Sequence, residues 1–254
     1  MARLFDDASL QYLENTSAIA TAAPITMAAW AYTDDATISE NVLGIGGNGT
    51  VNSFRLNFGG ATAGDPIRAI SAEAGVFAIA VTTTGFSANT WHQVCVVFAA
   101  ADDRRAFIDG GSKGTNATTN TPGSLSYTQI ATVREASSQG GYFSGSIAEA
   151  AIWNIALSDE EIALLAKGFS PLFFRPQSLL AYWPLVRTDD NDRFGRANMT
   201  AVNAPTVADH PPKIIYPAPV LISYPSAAAP AELEGPLVWG KLLRGGVLSR
   251  RLVG

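Results

Sequence analysis

Cysteine is all but missing from this sequence of 254 residues: Cys95 is the single one. One thiol cannot close an intrachain disulfide, so the chain is not a disulfide-stapled scaffold. Histidine is nearly as scarce. His92 and His210 are the two present, and they give no credible Ser-His-Asp constellation. Charged residues make up 15%, well below the usual quarter, and a surface so poor in charge is one that other protein can cover. Acid exceeds base, 22 residues against 17, for a net charge of −5. That balance excludes the broad basic footprint expected for a nucleic-acid or anionic-membrane partner. No apolar run reaches the ~18 residues of a membrane span. Met1-Ala2-Arg3-Leu4 leads at once into acids without an apolar h-region, so the reading is of no signal peptide and of synthesis in a cytoplasm.

What the chain does have, over residues 1–150, is short apolar runs between clusters of Gly, Asn, Asp and Ser. This is the pattern of many short strands. In 25–33, Ile25, Met27, Ala29 and Ala31 fall on one face, and Thr26, Ala28, Trp30 and Tyr32 on the other. In 53–60, Phe54, Leu56 and Phe58 alternate with Arg55 and Asn57. In 74–85 both faces are apolar, Val76, Ala78 and Ala80 against Phe77, Ile79 and Val81, which predicts a central strand. Residues 90–114 read as a hairpin with Val94, Val96 and Phe98 on one face, a turn at Asp102-Asp103 and a second at Asp109-Gly110. Cys95, between Val94 and Val96, reads as a small buried hydrophobe. Residues 140–154 read as a further strand pair. Gly44, Gly46, Gly47 and Gly49 in "GIGGNGT" lack the strand–turn–helix context of a dinucleotide fingerprint and read as a hairpin turn.

One helix is spelled out over 157–168. Ser158 with Glu161 makes a capping box, Leu157 with Ile162 a hydrophobic staple, and Gly168 a C′ stop. Asp159 and Glu160 suit the positive helix start. Many short strands with a single short helix predict an all-β sandwich or jelly roll. From about residue 204 the texture changes. Prolines at 205, 211, 212, 217, 219, 225, 230 and 236 forbid helix and central strand and predict an extended arm without a core of its own. Such an arm either straps its own domain or lies on neighbouring subunits.

Three phrases together resemble the laminin-G-like, or concanavalin A-like lectin/glucanase, jelly roll: "RLFDDASLQYLENT…PITMAAWAYTDD", "TWHQVCVVFAAADDRRAFIDGG" and "YFSGSIAEAAIWNIALSDEEIALLAKG". They span about residues 3 to 168. The resemblance implies two antiparallel sheets. Domains of this kind commonly open with a strand like "LVAYWPL", an Asp/Gly-rich loop and a "T…AP" segment. Here "LLAYWPLVRTDDNDRFGRANMTAVNAPT" follows the helix instead, the order of a circular permutation, which is cheap where termini lie close together. The expected division is therefore a jelly roll over 1–204, with 168–204 supplying the strand usually found first, and an arm and docking tail over 205–254. The alternative is a separate small β-unit packed beside the sandwich.

The resemblance also frames the chemistry. Retaining glucanases of this fold carry an E-x-D-x-x-E strand motif. Glu149 in "SIAEAAIWN" has no acid at that spacing and reads as an exposed strand carboxylate, so the chain is expected not to be an enzyme. His92 reads as a structural histidine without a nearby partner, and His210 as a contact residue. A calcium ion at the sandwich rim would find its best oxygens at Asp189, Asp190 and Asp192. These acids equally make a solvated turn, and no other cofactor is implied. A glycan face would draw on Tyr32, Asn48, Asn52, Tyr127 and Tyr142, each of which also serves as ordinary packing.

The overall layout, with "FSPLFFRPQSLLAYWPL", "VADHPPKIIYP" and "GPLVWGKLLRGGVL", also resembles virion-associated proteins of tailed bacteriophages. That likeness implies a non-enzymatic structural role on a virion, as a capsid decoration protein. Its partner would be the major capsid protein or another virion protein, and trimeric self-association would suit a capsid lattice. The docking residues would be Tyr216, Tyr224, Trp239, Lys241, Leu242, Arg244, Leu248, Arg250 and Arg251. The alternative is a carbohydrate-binding module or adhesin that holds polysaccharide. Neither reading involves nucleic acid or a membrane.

Overall fold

Alternation becomes geometry at once: Ile25, Met27, Ala29 and Ala31 are all buried in one core cluster, while Ala28 and Trp30 face away from it. The computed structural model describes residues 1–211 and 214–218. Among the described residues seventeen strands follow in order: β1 (Ala2–Phe5), β2 (Tyr12–Asn15), β3 (Ile25–Thr33), β4 (Ser39–Gly47), β5 (Ser53–Gly59), β6 (Pro66–Glu73), β7 (Val76–Gly85), β8 (His92–Ala100) and β9 (Asp103–Ile108) come first. Then come β10 (Gly111–Asn116), β11 (Leu125–Ile130), β12 (Val133–Glu135), β13 (Ser138–Gly140), β14 (Gly145–Trp153), β15 (Leu179–Trp183), β16 (Thr200–Val202) and β17 (Thr206–Ala208). The helix α1 (Asp159–Ala166) lies between β14 and β15.

The first sheet runs β10-β9-β8-β3-β14-β1-β17, with β15 also on β14, and the second runs β16-β2-β11-β4-β5-β6-β7. Neighbouring strands in both are antiparallel. The fold is an all-β jelly-roll sandwich. Its core lies between the sheets, where Leu43, Phe54, Leu56 and Phe58 meet Met27, Val94, Val96, Phe98 and Trp183. A second cluster sits on the outer side of the first sheet, where Ile162 and Leu165 of α1 cover Cys95, Val97, Phe107 and Trp153.

The cap of α1 is as expected. Ser158 Oγ accepts from Glu161 N, and a Glu161 carboxylate oxygen accepts from Ser158 N. Residues 179–208 pair with both sheets. β15 lies on β14, β16 on β2 and β17 on β1. The compact unit that contains them ends at Pro217, because Ile215 still bridges to Phe169.

Three local expectations change. Strand β7 is an edge, not central. Its Phe77 and Val81 stay exposed, because the two apolar faces serve different purposes: Ala78 and Ala80 enter the core, and Phe77, Ile79 and Val81 line the outer surface. Residues 140–154 hold one long strand, β14, and β13 pairs with β12 instead. Gly44, Gly46 and Gly47 belong to β4, and the turn starts beyond them.

Candidate functional site

The outer faces of the two sheets are dressed differently. That of the first is covered by α1 and by the segment around Phe169 and Phe174. On the second, the β12–β13 hairpin lies across β4. Gly44 and Gly46 permit this approach: a Cβ on Gly44 would stand 2.6 Å from Val133 Cγ2, and one on Gly46 2.4 Å from the Arg134 carbonyl oxygen. The hairpin therefore divides the face into two troughs. One is floored by β2 and β11, the other by β5, β6 and β7.

The second trough has a hydrogen-bonded polar floor. Alternation in β5 sends Phe54, Leu56 and Phe58 inward and Arg55 and Asn57 outward. Asn57 Nδ2 donates to Asn41 Oδ1 at 2.9 Å, and Arg68 Nε donates to Asn57 Oδ1 at 2.9 Å. Arg68 Nη1 donates to Thr62 Oγ1 at 3.1 Å. Arg55 Nε donates to Ser53 Oγ at 2.7 Å, and its Nη1 pairs with Glu135 of the hairpin. Asn41 Nδ2 donates to the Gly140 carbonyl at 3.0 Å, tying the hairpin down. Burial holds both guanidinium groups below their ordinary range; Glu135 opposes this at Arg55, and the charge of Arg55 adds to it at Arg68. On the β7 side, Phe77 stands 5.3 Å from the Arg55 guanidinium with 47% of its surface open.

The first trough is more aromatic. The Arg134 guanidinium lies 4.5 Å from the ring centre of Tyr127 and donates to Asn48 Oδ1 at 3.3 Å. Tyr12 and Tyr142 pack with ring centres 6.0 Å apart. Gln129 Nε2 donates to Glu14 Oε2 at 2.7 Å.

Of the five residues read as a glycan face, the structure brings Asn48, Tyr127 and Tyr142 to this side. Tyr32 is on the other sheet, packed against Trp91 with its hydroxyl on Asn89 Oδ1. Asn52 is turned inward, its Oδ1 accepting from Ala74 N at 2.8 Å; it serves the β6–β7 turn. Sequence reading missed Arg55, Asn57, Arg68, Arg134 and Phe77. The signal was there for two of them, since polar Arg55 and Asn57 alternate with core phenylalanines. Arg134 and Phe77 carried none.

Other expected positions also resolve. Asp190 pairs with Arg3 Nε at 2.8 Å. Asp192 accepts from the Tyr182 and Arg196 N–H groups at 2.8 Å each. Both carboxylates thus accept from donors within the protein, while Asp189 holds Asn191 in an exposed turn. Among the described residues no three His, Cys, Asp or Glu side chains gather as a metal site. His92 does have a partner, contrary to the sequence reading: Asp109 Oδ2 lies 2.8 Å from its Nδ1, and Ser87 N donates to its Nε2 at 3.1 Å. That pairing fixes the ring with its proton on Nδ1 and makes it a brace between β8 and the β9–β10 turn.

Glu149 is likewise not an exposed strand carboxylate. It is 2% exposed and accepts from the hydroxyls of Tyr182 and Tyr216. A bulge at Glu149, φ +54°, marks the point where β14 changes partner from β1 to β15. Of the docking residues, Tyr216 is the one described. Tyr224, Trp239, Lys241, Leu242, Arg244, Leu248, Arg250 and Arg251 lie outside the described residues.

Comparison with known proteins agrees with this architecture. No curated protein matches the chain. Among solved structures, the heptameric SAP-like pentraxin of Limulus polyphemus superposes with a TM-score of 0.58 at 10% identity, over 80% of this chain and 91% of that one. A candidate carbohydrate binding protein of Bacteroides ovatus superposes with a TM-score of 0.56 at 16% identity, over 81% of this chain and 61% of that one. Identities this low speak to the fold alone. The family model described as the concanavalin A-like lectin/glucanases superfamily matches residues 7–163, the stretch that runs from β2 to α1 and supplies most of both sheets. By that match and by its two-sheet architecture, the chain belongs to the concanavalin A-like lectin/glucanase superfamily.

Proposed function

We propose that this protein is a non-catalytic carbohydrate-binding jelly roll that holds saccharide on the outer face of its second sheet. One observation carries the reading: a hydrogen-bonded floor of Arg55, Asn57 and Arg68 lies between the hairpin and the open ring of Phe77. Sugar recognition needs this pairing of planar donors and acceptors with an apolar ring for the C–H face. The superfamily, which includes lectins, supports the same class. The absence of an E-x-D-x-x-E motif supports a non-catalytic role. So does the engagement of the carboxylates on this face, Glu135 with Arg55 and Glu14 with Gln129.

The test is affinity electrophoresis of the full chain through gels that contain defined polysaccharides, with Phe77→Ala and Tyr127→Ala beside the parent. Retardation of the parent, reduced about tenfold in apparent affinity by Phe77→Ala at unchanged thermal stability, is the expected result. Retardation untouched by either substitution would move the site elsewhere.

The carrier we infer is a phage particle, on which this chain is a decoration protein with the jelly roll outward. Its partner is a capsid or other virion protein, and copies of the chain associate symmetrically. The support is the composition of residues 205–254: eight prolines, then Trp239, Lys241, Leu242, Arg244, Leu248, Arg250 and Arg251 with no core around them in sequence. Ending the chain at Pro217, where the compact unit ends, should abolish particle association and leave polysaccharide retardation intact. Particles that retain the shortened protein would argue against fastening by the arm.

A further inference from the structure

We infer that the trough between the β12–β13 hairpin and β7 selects acidic saccharides, chains whose sugars carry carboxylate or sulfate groups. The inference deepens the carbohydrate-binding reading and rests on it.

The argument is a charge count on a desolvated floor. Arg55 and Arg68 sit on adjacent strands, in register pairs Arg55↔Ile70 and Asn57↔Arg68. Glu135 is the one carboxylate that meets either of them among the described residues. Arg68 is held by neutral groups alone, the Asn57 amide oxygen and the Thr62 hydroxyl. Arg55 is 6% exposed, and its Nη2 is buried with no hydrogen-bond partner. Across the hairpin, the buried Arg134 Nε has none either. A buried cation and a half-buried one beside it, with one counter-charge between them, leave an unfavourable field. A ligand that brings the missing negative charge is favoured, and one that brings none must leave the imbalance in place.

The geometry narrows the class. A guanidinium fork matches the two oxygens of a carboxylate or sulfate. Phe77, Ile79 and Val81 line the adjacent edge, and the exposed Phe77 ring beside Arg55 offers a surface for the apolar side of a sugar. The chain as a whole is acidic, at −5, so its net charge does not draw a polyanion from a distance and the local fork does the selecting on this face. A nucleic acid would need a longer run of cations than these three arginines provide.

Three polymers, a neutral polysaccharide panel, a single-stranded oligonucleotide and two variants decide the matter, all with the full chain; the polymers are polygalacturonate for carboxylate, dextran sulfate for sulfate and dextran as the neutral control. Arg68→Gln should weaken binding of the preferred acidic polymer about tenfold or more, the loss of a charge-assisted contact, with the unfolding temperature unchanged. Glu135→Gln should act in the opposite sense and strengthen it, because Arg55 is released from its internal counter-charge; a purely structural Glu135 would weaken it. The two acidic polymers separate the carboxylate source from the sulfate source. Binding of dextran equal to that of the acidic polymers, indifferent to Arg68→Gln, would overturn the acidic selection and leave the carbohydrate reading standing. Failure of all three polymers and of a broad neutral panel would overturn both. Preference for a single-stranded oligonucleotide, lost in Arg68→Gln, would overturn the saccharide class and reassign the fork.

Discussion

The hydroxyl of Tyr216 donates to Glu149 Oε1 across 2.8 Å, joining the last described stretch of chain to the bulge of β14. Tyr182 donates to the other oxygen of the same carboxylate, and His210 Nε2 stands 3.6 Å from Oε1. Burial, and then the charge of Glu149, hold both tyrosine hydroxyls above their ordinary range, so they remain donors. Around this point Ile215 N donates to the Gly168 carbonyl, Ser170 N donates to the Ile215 carbonyl, and Ile214 packs on the cluster of Ala2, Trp30 and Ala148. Residues 214–216 thus strap the outer side of the first sheet, and Glu149 is the latch.

Tyr216→Phe is expected to cost about 1–2 kcal/mol, one hydrogen bond to a buried charged group. Its ring is 46% exposed, so little packing is lost with the hydroxyl. Denaturant unfolding measures the difference. An unchanged midpoint would mean that Tyr182 alone satisfies Glu149.

Glu40 makes stability depend on pH. Its carboxyl is fully buried at one end of the sandwich, beside the Thr33 hydroxyl and the Ser144 N–H, and burial pushes it up to about 8 from an ordinary 4.5. The Thr33 hydroxyl also lies 2.9 Å from the Asp35 carbonyl. With one hydrogen it cannot donate to both, and a protonated Glu40 that donates to Thr33 removes the conflict. Between about pH 4.5 and 8 the folded protein keeps a proton that the unfolded chain has released, so stability falls as pH rises through that window. Glu40→Gln keeps both hydrogen bonds without the proton. It should match the parent near pH 4.5 and exceed it by a few kcal/mol at pH 8. Melts of both proteins across this window test it; parallel pH profiles would rule out Glu40 as the source.

Cys95 should report global unfolding. It is fully buried, and burial pushes its thiol well above the usual cysteine range. Its labelling by a thiol reagent should rise with denaturant in step with the loss of folded protein. Labelling in native buffer at the rate of a free thiol would mean that the sheet opens locally under α1.

Gly46→Ala should destabilise the fold by about 1–3 kcal/mol, the usual cost of forcing extra atoms into a packed contact, because its Cβ would lie 2.4 Å from the Arg134 carbonyl oxygen. Gly111→Ala, where a Cβ meets nothing within 4 Å, is the control. Equal melting temperatures for the two variants would show that the hairpin does not rest on β4.

Much of this fold could be read directly. The capping box of α1 involves residues three apart, and the two faces of β3, β5 and β8 follow from period-two alternation; these are local relations. Tyr127 and Asn48 stood out in the sequence because an aromatic ring and an amide near turns are the groups a glycan face would use. The failures share one cause. β7 reads as central because both its faces are apolar, yet whether a face is covered depends on strands far away. His92 lacks a visible partner because Asp109 comes 17 residues later. Glu149 looks exposed because alternation cannot foresee a bulge set by the hand-over from β1 to β15.

By itself, then, the sequence determined the periodicities, the caps and the lone buried thiol. Each follows from the conformational preferences of neighbouring residues. Only the tertiary structure decided that Arg55 and Arg68 share a floor with one carboxylate, that two glycines seat the hairpin between two troughs, and that Tyr216 closes on Glu149. Those are contacts between residues far apart in the chain, 80 positions in the case of Arg55 and Glu135. Pairing across such distances is set by sheet register and burial, which no local pattern encodes.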